Sequence, residues 1–133
     1  MTRINLVPPQ TLCDQHLLAE HRELTRIPNA VARNNYRLDG QPADYKLGTG
    51  HVRFFFNKLQ FLEKRYTALH RECLARGFNV QNRWPDNLPD TPELWQDYTP
   101  TATALAANRA RIAERMPAKP RFTPHKAPAE TAE

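Results

Sequence analysis

Apolar residues fall into helical registers along three stretches of the chain, and segments rich in proline and glycine separate them. The clearest register runs from 49 or 50 to 76. Val52, Phe55, Leu59, Leu62, Tyr66, Leu69 and Cys73 recur there in steps of three and four, and Phe56 widens the stripe. Thr49 is placed to cap its start, and Gly77 stands where a left-handed C-terminal cap belongs. The spacing predicts one continuous helix as the backbone of the core. A first helix is expected to begin between 11 and 14 and to reach about 26, with Leu17, Leu18, Leu24 and Ile27 inward. Pro28 removes a backbone donor, so the helix should kink or break there and resume over 29–33. A third helix is expected over 101–116, with Leu105, Ile112 and Met116 inward and Pro117 ending it.

The connecting stretches carry no register. Residues 34–48 contain Gly40, Pro42 and Gly48, and residues 81–100 contain Pro85, Pro89, Pro92 and Pro100. No repeat is present, and no period-two alternation is long enough for a sheet. The 133 residues suit one domain with a single core. The expected class is all-α: a compact single domain of three main helices with long irregular loops over 1–126, followed by a disordered tail at 127–133. Phe54, Phe55, Phe56 and Phe61 belong to that core rather than to an aromatic platform. Trp84 and Trp95, set among prolines, should cover it from the loop side.

Charge adds a direction. The chain has 19 Lys and Arg against 14 Asp and Glu, a net of +5. Between residues 105 and 126, Arg109, Arg111, Arg115, Lys119, Arg121 and Lys126 are opposed only by Glu114. Such a stripe favours a polyanion, most often nucleic acid. A solvated helix face has the same composition, and charge alone does not separate the two. Cys13 and Cys73 form neither a CxxC pair nor a zinc spacing and read as reduced core residues of a cytosolic protein. No signal peptide and no apolar run of membrane-spanning length is evident, so the expectation is a soluble, cytoplasmic protein with no membrane partner. His16 and His21 are five apart, unsuited to sharing a metal on one helix face, and no acidic cluster suggests magnesium. Gly48-Thr49-Gly50 before a helix reads as a turn with a cap, although a phosphate could also sit there.

Candidate chemistry lies in the first helix and ahead of it. His16, Ala19, Glu23 and Arg26 recur at intervals of three and four and share one face, with Arg22 beside it. Opposite charges around a carboxylate favour its ionised form. The alternative is an exposed face crossed by ion pairs such as Glu23 with Arg26. The N-terminus alters the balance between these readings, because a second residue as small as Thr2 lets Met1 be removed and leaves a free α-amine. With a pKa of about 7.7–8.0, roughly a fifth to a third of that amine is neutral near pH 7.4, against about 0.1% for an unperturbed lysine. Arg3, Arg22 and Arg26 would lower it further, since like charges disfavour the ammonium. An amine nucleophile, a carboxylate and a basic wall suit attack at a sugar C1′.

These residues carry a resemblance. Thr2-Arg3-Ile4-Asn5-Leu6, Asp14-Gln15-His16-Leu17, Ala19-Glu20 and Arg22-Glu23-Leu24 resemble the pyrimidine-dimer DNA glycosylase/abasic-site lyase family. The likeness continues through Gly50-His51-Val52, Phe54-Phe55, Lys58-Leu59, Phe61-Leu62, Lys64-Arg65, Glu72-Cys73-Leu74 and Arg76-Gly77-Phe78-Asn79. It then runs through Asp97-Tyr98, Pro100, Ala110-Arg111 and Pro120, to about Phe122. The resemblance implies that the Thr2 α-amine attacks C1′ of the damaged nucleotide, expels the base and forms a Schiff base with the opened sugar. Glu23 would support the developing charge and take the C2′ proton, and β-elimination would nick the strand 3′ to the lesion. Arg3, Arg22 and Arg26 would bind phosphates, His16 would lie at the site, and Arg111 and Arg115 would add basic contacts. Lys119 and Phe122 complete the candidate DNA-contact set. The implied partner is double-stranded DNA bent at a lesion, with a base flipped out opposite it. A monomer using no metal or organic cofactor is expected.

The chain departs from the family pattern in two places. The family's phage enzyme has a run of aromatics after the proline matching Pro120, whereas here Phe122 is followed by Thr123, Pro124 and His125. The 34–48 loop, expected near DNA, is also shorter. Cyclobutane dimers are the leading expectation for the lesion. Another damaged or modified pyrimidine, an abasic-site lyase without glycosylase activity, and a non-catalytic DNA-binding module are the alternatives.

Overall fold

The computed structural model describes residues 2–126, so the tail expected at 127–133 lies outside the described residues. Regular structure among them is helical: α1 (Asp14–Leu24), α2 (Arg26–Ala32), α3 (His51–Phe54), α4 (Leu59–Ala75) and α5 (Ala102–Glu114). Single 3-10 turns occur at Pro9–Thr11 and Pro92–Leu94. The described residues contain no strand, only an isolated bridge between Lys58 and Trp95. The class is all-α, as the periodicity implied.

Helices α1 and α4 pack face to face and form the centre. Leu17 and Leu24 of α1 meet a stripe of Leu62, Tyr66, Leu69 and Cys73 on α4, all buried. Cys13 and Cys73 are free thiols inside this core. Gly77 ends α4 at φ +93°, with Gly77 N–H donating to the Leu74 carbonyl and Phe78 N–H to that of Cys73, both at 2.9 Å. This is the paired C-terminal cap that favours glycine. Asn34, at φ +56°, closes α2 with the same two bonds, to Val31 and Ala30.

Four sequence expectations need correction. The break near Pro28 comes one turn early, because the proline lacks the N–H that would bond the carbonyl four residues back, at Leu24. α1 therefore ends at Leu24 and α2 restarts at Arg26, with Pro28 in a first turn where no donor is needed. The long helix expected over 49–76 is split at residues 55–58. Three successive aromatics cannot face one side of a helix, and the interruption lets both Phe54 and Phe55 bury fully. Gln41 Nε2 donates to the Arg53 and Phe54 carbonyls, and Gln96 pairs with the Asn57 and Phe61 backbone, which fixes the break. Thr49 does not cap: Gly50 occupies the N-cap at φ +92°, without a side-chain bond. Finally, Met116 is exposed, and Leu105 and Ile112 are only partly covered. α5 touches the core through Ala104 and Asn108 instead, and Thr101 caps its start by accepting from Ala104 N–H at 3.0 Å.

Polar groups are buried inside this core in pairs. Arg65 of α4 makes two bonds to Glu20 of α1, at 2.8 and 2.9 Å. Arg76 bonds Asp14 and Glu72 at 2.8 Å each. Burial alone would push both of those carboxyl groups up, but bonds from Thr123 and Arg76 to Asp14, and from Arg76 and His125 to Glu72, hold them below their ordinary values.

Candidate active site

A cavity of about 380 Å3 opens where the N-terminal arm, the outer face of α1, the turn before α3 and the C-terminal half of α5 converge. Thr2, Arg3, His16, Glu23, Arg111 and Arg115 all line it. α1 supplies His16, Ala19 and Glu23 because intervals of three and four keep these side chains on one face. Arg26 belongs to α2, beyond the break, so it is not part of that helical face. It still reaches the site: its Nη1 donates to Thr2 Oγ1 at 3.4 Å.

Glu23 is only 16% exposed at its side chain and has Arg22 Nη2 at 3.5 Å from Oε2. The pair therefore joins Glu23 to Arg22 rather than to Arg26. On the opposite wall, Arg111 contacts Glu114 at 3.2 Å across one helical turn, while Arg115 caps the end of α5. Arg3 is drawn down by burial, yet as an arginine it stays charged. Its Nε–H is buried with no partner among the described residues.

Each histidine here has one tautomer dictated by its partners. His16 Nε2 lies 3.0 Å from the Arg115 carbonyl, which can only accept, so the hydrogen is on Nε2. Its Nδ1 is likewise buried without a partner among the described residues. His51 donates from Nδ1 to the Lys46 carbonyl and accepts the Ile4 N–H at Nε2, both at 2.8 Å. Burial pushes its pKa down, and the neutral ring is the form that can accept.

Four sequence candidates are not part of the cavity lining: Arg22 and Arg26 touch it through Glu23 and Thr2, and Lys119 and Phe122 stand off it. The Lys119 carbonyl accepts from Gln15 Nε2 at 2.9 Å, and Phe122 is 56% exposed on the segment that runs past α1. That segment is tied to α1 by Asp14 N–H to the Arg121 carbonyl and Arg121 N–H to Gln15 Oε1. Sequence reasoning missed Asn5, Glu20, Leu47 and His51 as cavity-lining residues. Asn5, Glu20 and His51 lay inside quoted family segments, and no local pattern marks Leu47. Among the described residues, no group of three His, Cys, Asp or Glu is placed to hold a metal ion. Nor does any described helix have the length and apolarity to cross a membrane.

Three arginines facing a carboxylate across one cavity have the chemistry that suits a phosphate-bearing substrate. The family model for pyrimidine dimer DNA glycosylase matches residues 1–86, which contain the arm and α1 through α4. The chain belongs to that family of DNA repair enzymes, and DNA carrying lesions is its substrate class. Arg111 and Arg115, on α5, lie beyond the matched residues and nevertheless close the same cavity.

Proposed function

We propose that this protein excises cyclobutane pyrimidine dimers from duplex DNA and then nicks the strand by β-elimination, with the Thr2 α-amine, freed by loss of Met1, as nucleophile. The observation that carries this reading is that Thr2 and Glu23 line one cavity walled by Arg3, Arg111 and Arg115. The neutral amine nitrogen attacks C1′. The glycosidic bond breaks with its electron pair leaving on the base, which takes up one proton from the nitrogen; the C1′–O4′ bond then opens onto O4′, which takes up the other, to give the imine. The Glu23 carboxylate takes the C2′ proton, the electrons move toward C3′, and the C3′–O bond breaks to release the phosphate on the 3′ side. The cations serve twice: they hold phosphates, and they disfavour the ammonium form of the nearby amine. His16 stands on the cavity wall beside the sugar, and Arg22 and Arg26, next to Glu23 and Thr2, make backbone contacts.

A second reading concerns the lesion. Phe122 stands alone and exposed, off the cavity, in place of a run of aromatics. That favours a different damaged pyrimidine, or an abasic site, as an additional or alternative substrate for the same chemistry. One extra residue ahead of Thr2 should abolish both nicking and borohydride trapping on dimer and abasic duplexes while leaving DNA binding intact. Glu23→Gln should bind and fail to nick. A blocked N-terminus that nicks at the wild-type rate refutes the nucleophile, and nicking of abasic duplexes alone refutes the glycosylase step.

A further inference from the structure

The arm that carries Thr2 forms neither helix nor strand over residues 2–6, yet its backbone is gripped by buried side chains. Ile4 N–H donates to His51 Nε2 at 2.8 Å, and the Ile4 carbonyl accepts from the Tyr45 hydroxyl at 2.9 Å. Asn5 N–H donates to Glu20 at 3.1 Å, and Leu6 N–H to Asn108 Oδ1 at 2.7 Å. Most backbone bonds in proteins are made by other backbone groups. Here four consecutive bonds come from side chains on three helices and a loop.

The two grips on Ile4 are themselves fixed. His51 is held from behind by the Lys46 carbonyl. Tyr45 meets the His51 ring edge-on, with centroids 5.3 Å apart. Burial pushes the Tyr45 phenol well above its ordinary range, so it remains an O–H donor. Both also satisfy buried backbone groups, so removing either costs stability as well as position, and only a rate measured on folded protein separates the two. Their polar atoms are spent on a point two residues from the arm's reactive end. With both Ile4 groups fixed, two residues of chain let the Thr2 nitrogen roam only about 7 Å.

We propose that Tyr45 and His51 are positioning residues for the nucleophile: by holding the two backbone groups of Ile4 they set where the Thr2 nitrogen stands relative to Glu23 and the bound sugar. This rests on the reading of Thr2 as nucleophile. Preorganisation of this kind acts on the chemical step and not on duplex affinity, and misplacement by about 1 Å can cost on the order of 100-fold.

The test is single-turnover imine formation on a duplex with a central abasic site, trapped by borohydride, together with duplex affinity and thermal melting. Tyr45→Phe removes one oxygen and should slow trapping by about 10-fold or more, with duplex Kd changed less than about twofold. His51→Leu should slow it further, and His51→Gln, which can return an acceptor to Ile4 N–H, should recover part of the loss. Loss of folding alone would lower the active fraction and leave the rate constant of the remaining molecules intact, so a slowed rate constant separates positioning from stability. Folded Tyr45→Phe trapping at the wild-type rate overturns the proposal, even if His51→Leu fails to fold. If instead an N-terminally extended wild type still traps, the nucleophile reading has failed, and the positioning idea falls for that separate reason.

Discussion

The N-terminal arm and the α1–α4 helix pair share one core, but their backbones are satisfied differently: the helices bond their own, while the arm's is bonded by side chains from elsewhere. The helices meet through Leu17 and Leu24 against Leu62, Leu69 and Cys73, contacts that have no direction, beside the buried Glu20–Arg65 and Asp14–Arg76 pairs. The arm's backbone is held by directional bonds, and two of its anchors are guanidiniums, Arg65 on α4 and Arg76 at its C-terminal cap. Arg65 donates to the Val7 carbonyl, and Arg76 donates to that of Leu12 at 2.8 Å. Eleven residues make about three helical turns, so Arg65 and Arg76 lie on one face and clasp the arm at two points. The difference follows from what each region does. A packing helix has only to be buried, whereas a reactive terminus must stand at a fixed point.

The largest effect should come from breaking an anchor. Arg65→Met strands Glu20 in the interior and should cost about 3–5 kcal/mol, measured as a fall in urea-unfolding free energy. Adding Glu20→Leu should recover much of that stability but not the rate of imine formation, because Asn5 N–H then lacks its acceptor. On the apolar side, Leu62→Ala should cost about 2–5 kcal/mol and leave the trapping rate of the folded fraction unchanged. Equal slowing by the two kinds of variant would erase the distinction between regions.

A smaller effect concerns pH. His21 lies on the α1–α4 seam, stacked on Tyr66 and 3.0 Å from His70. Burial, with His70 and Arg83 adding to it, pulls its pKa down from 6.5 to about 4. The fold therefore favours the neutral ring. Its contribution is fully present above about pH 6.5 and is lost as pH falls toward 4. His21→Phe should flatten the fall in unfolding free energy across that window without changing the nicking rate at neutral pH. An unchanged slope would mean that the seam does not exclude the charged ring.

Much of the fold was legible because local rules act locally. Leu62, Leu69 and Cys73 keep a helical interval, and Gly77 stands at a left-handed cap. The split before α4 was not legible, since Gln41 and Gln96 impose it from distant parts of the chain. The same holds at the site. Spacing joined His16 to Glu23, and charge marked the segment bearing Arg111 and Arg115. Asn108 and Tyr45 gave no signal, because a side chain that bonds a backbone group far away in sequence leaves no period behind it. Met116 misled for a related reason: α5 is amphipathic enough to suggest a packed face, but Asn108 is the residue that it buries completely.

The most direct test is to trap the protein on a dimer-containing duplex with borohydride, digest it and sequence the cross-linked peptide by mass spectrometry. The account predicts a secondary amine on the main-chain nitrogen of Thr2, with Met1 gone. An adduct on the side chain of a lysine such as Lys46, or efficient nicking by protein that retains Met1, would contradict it.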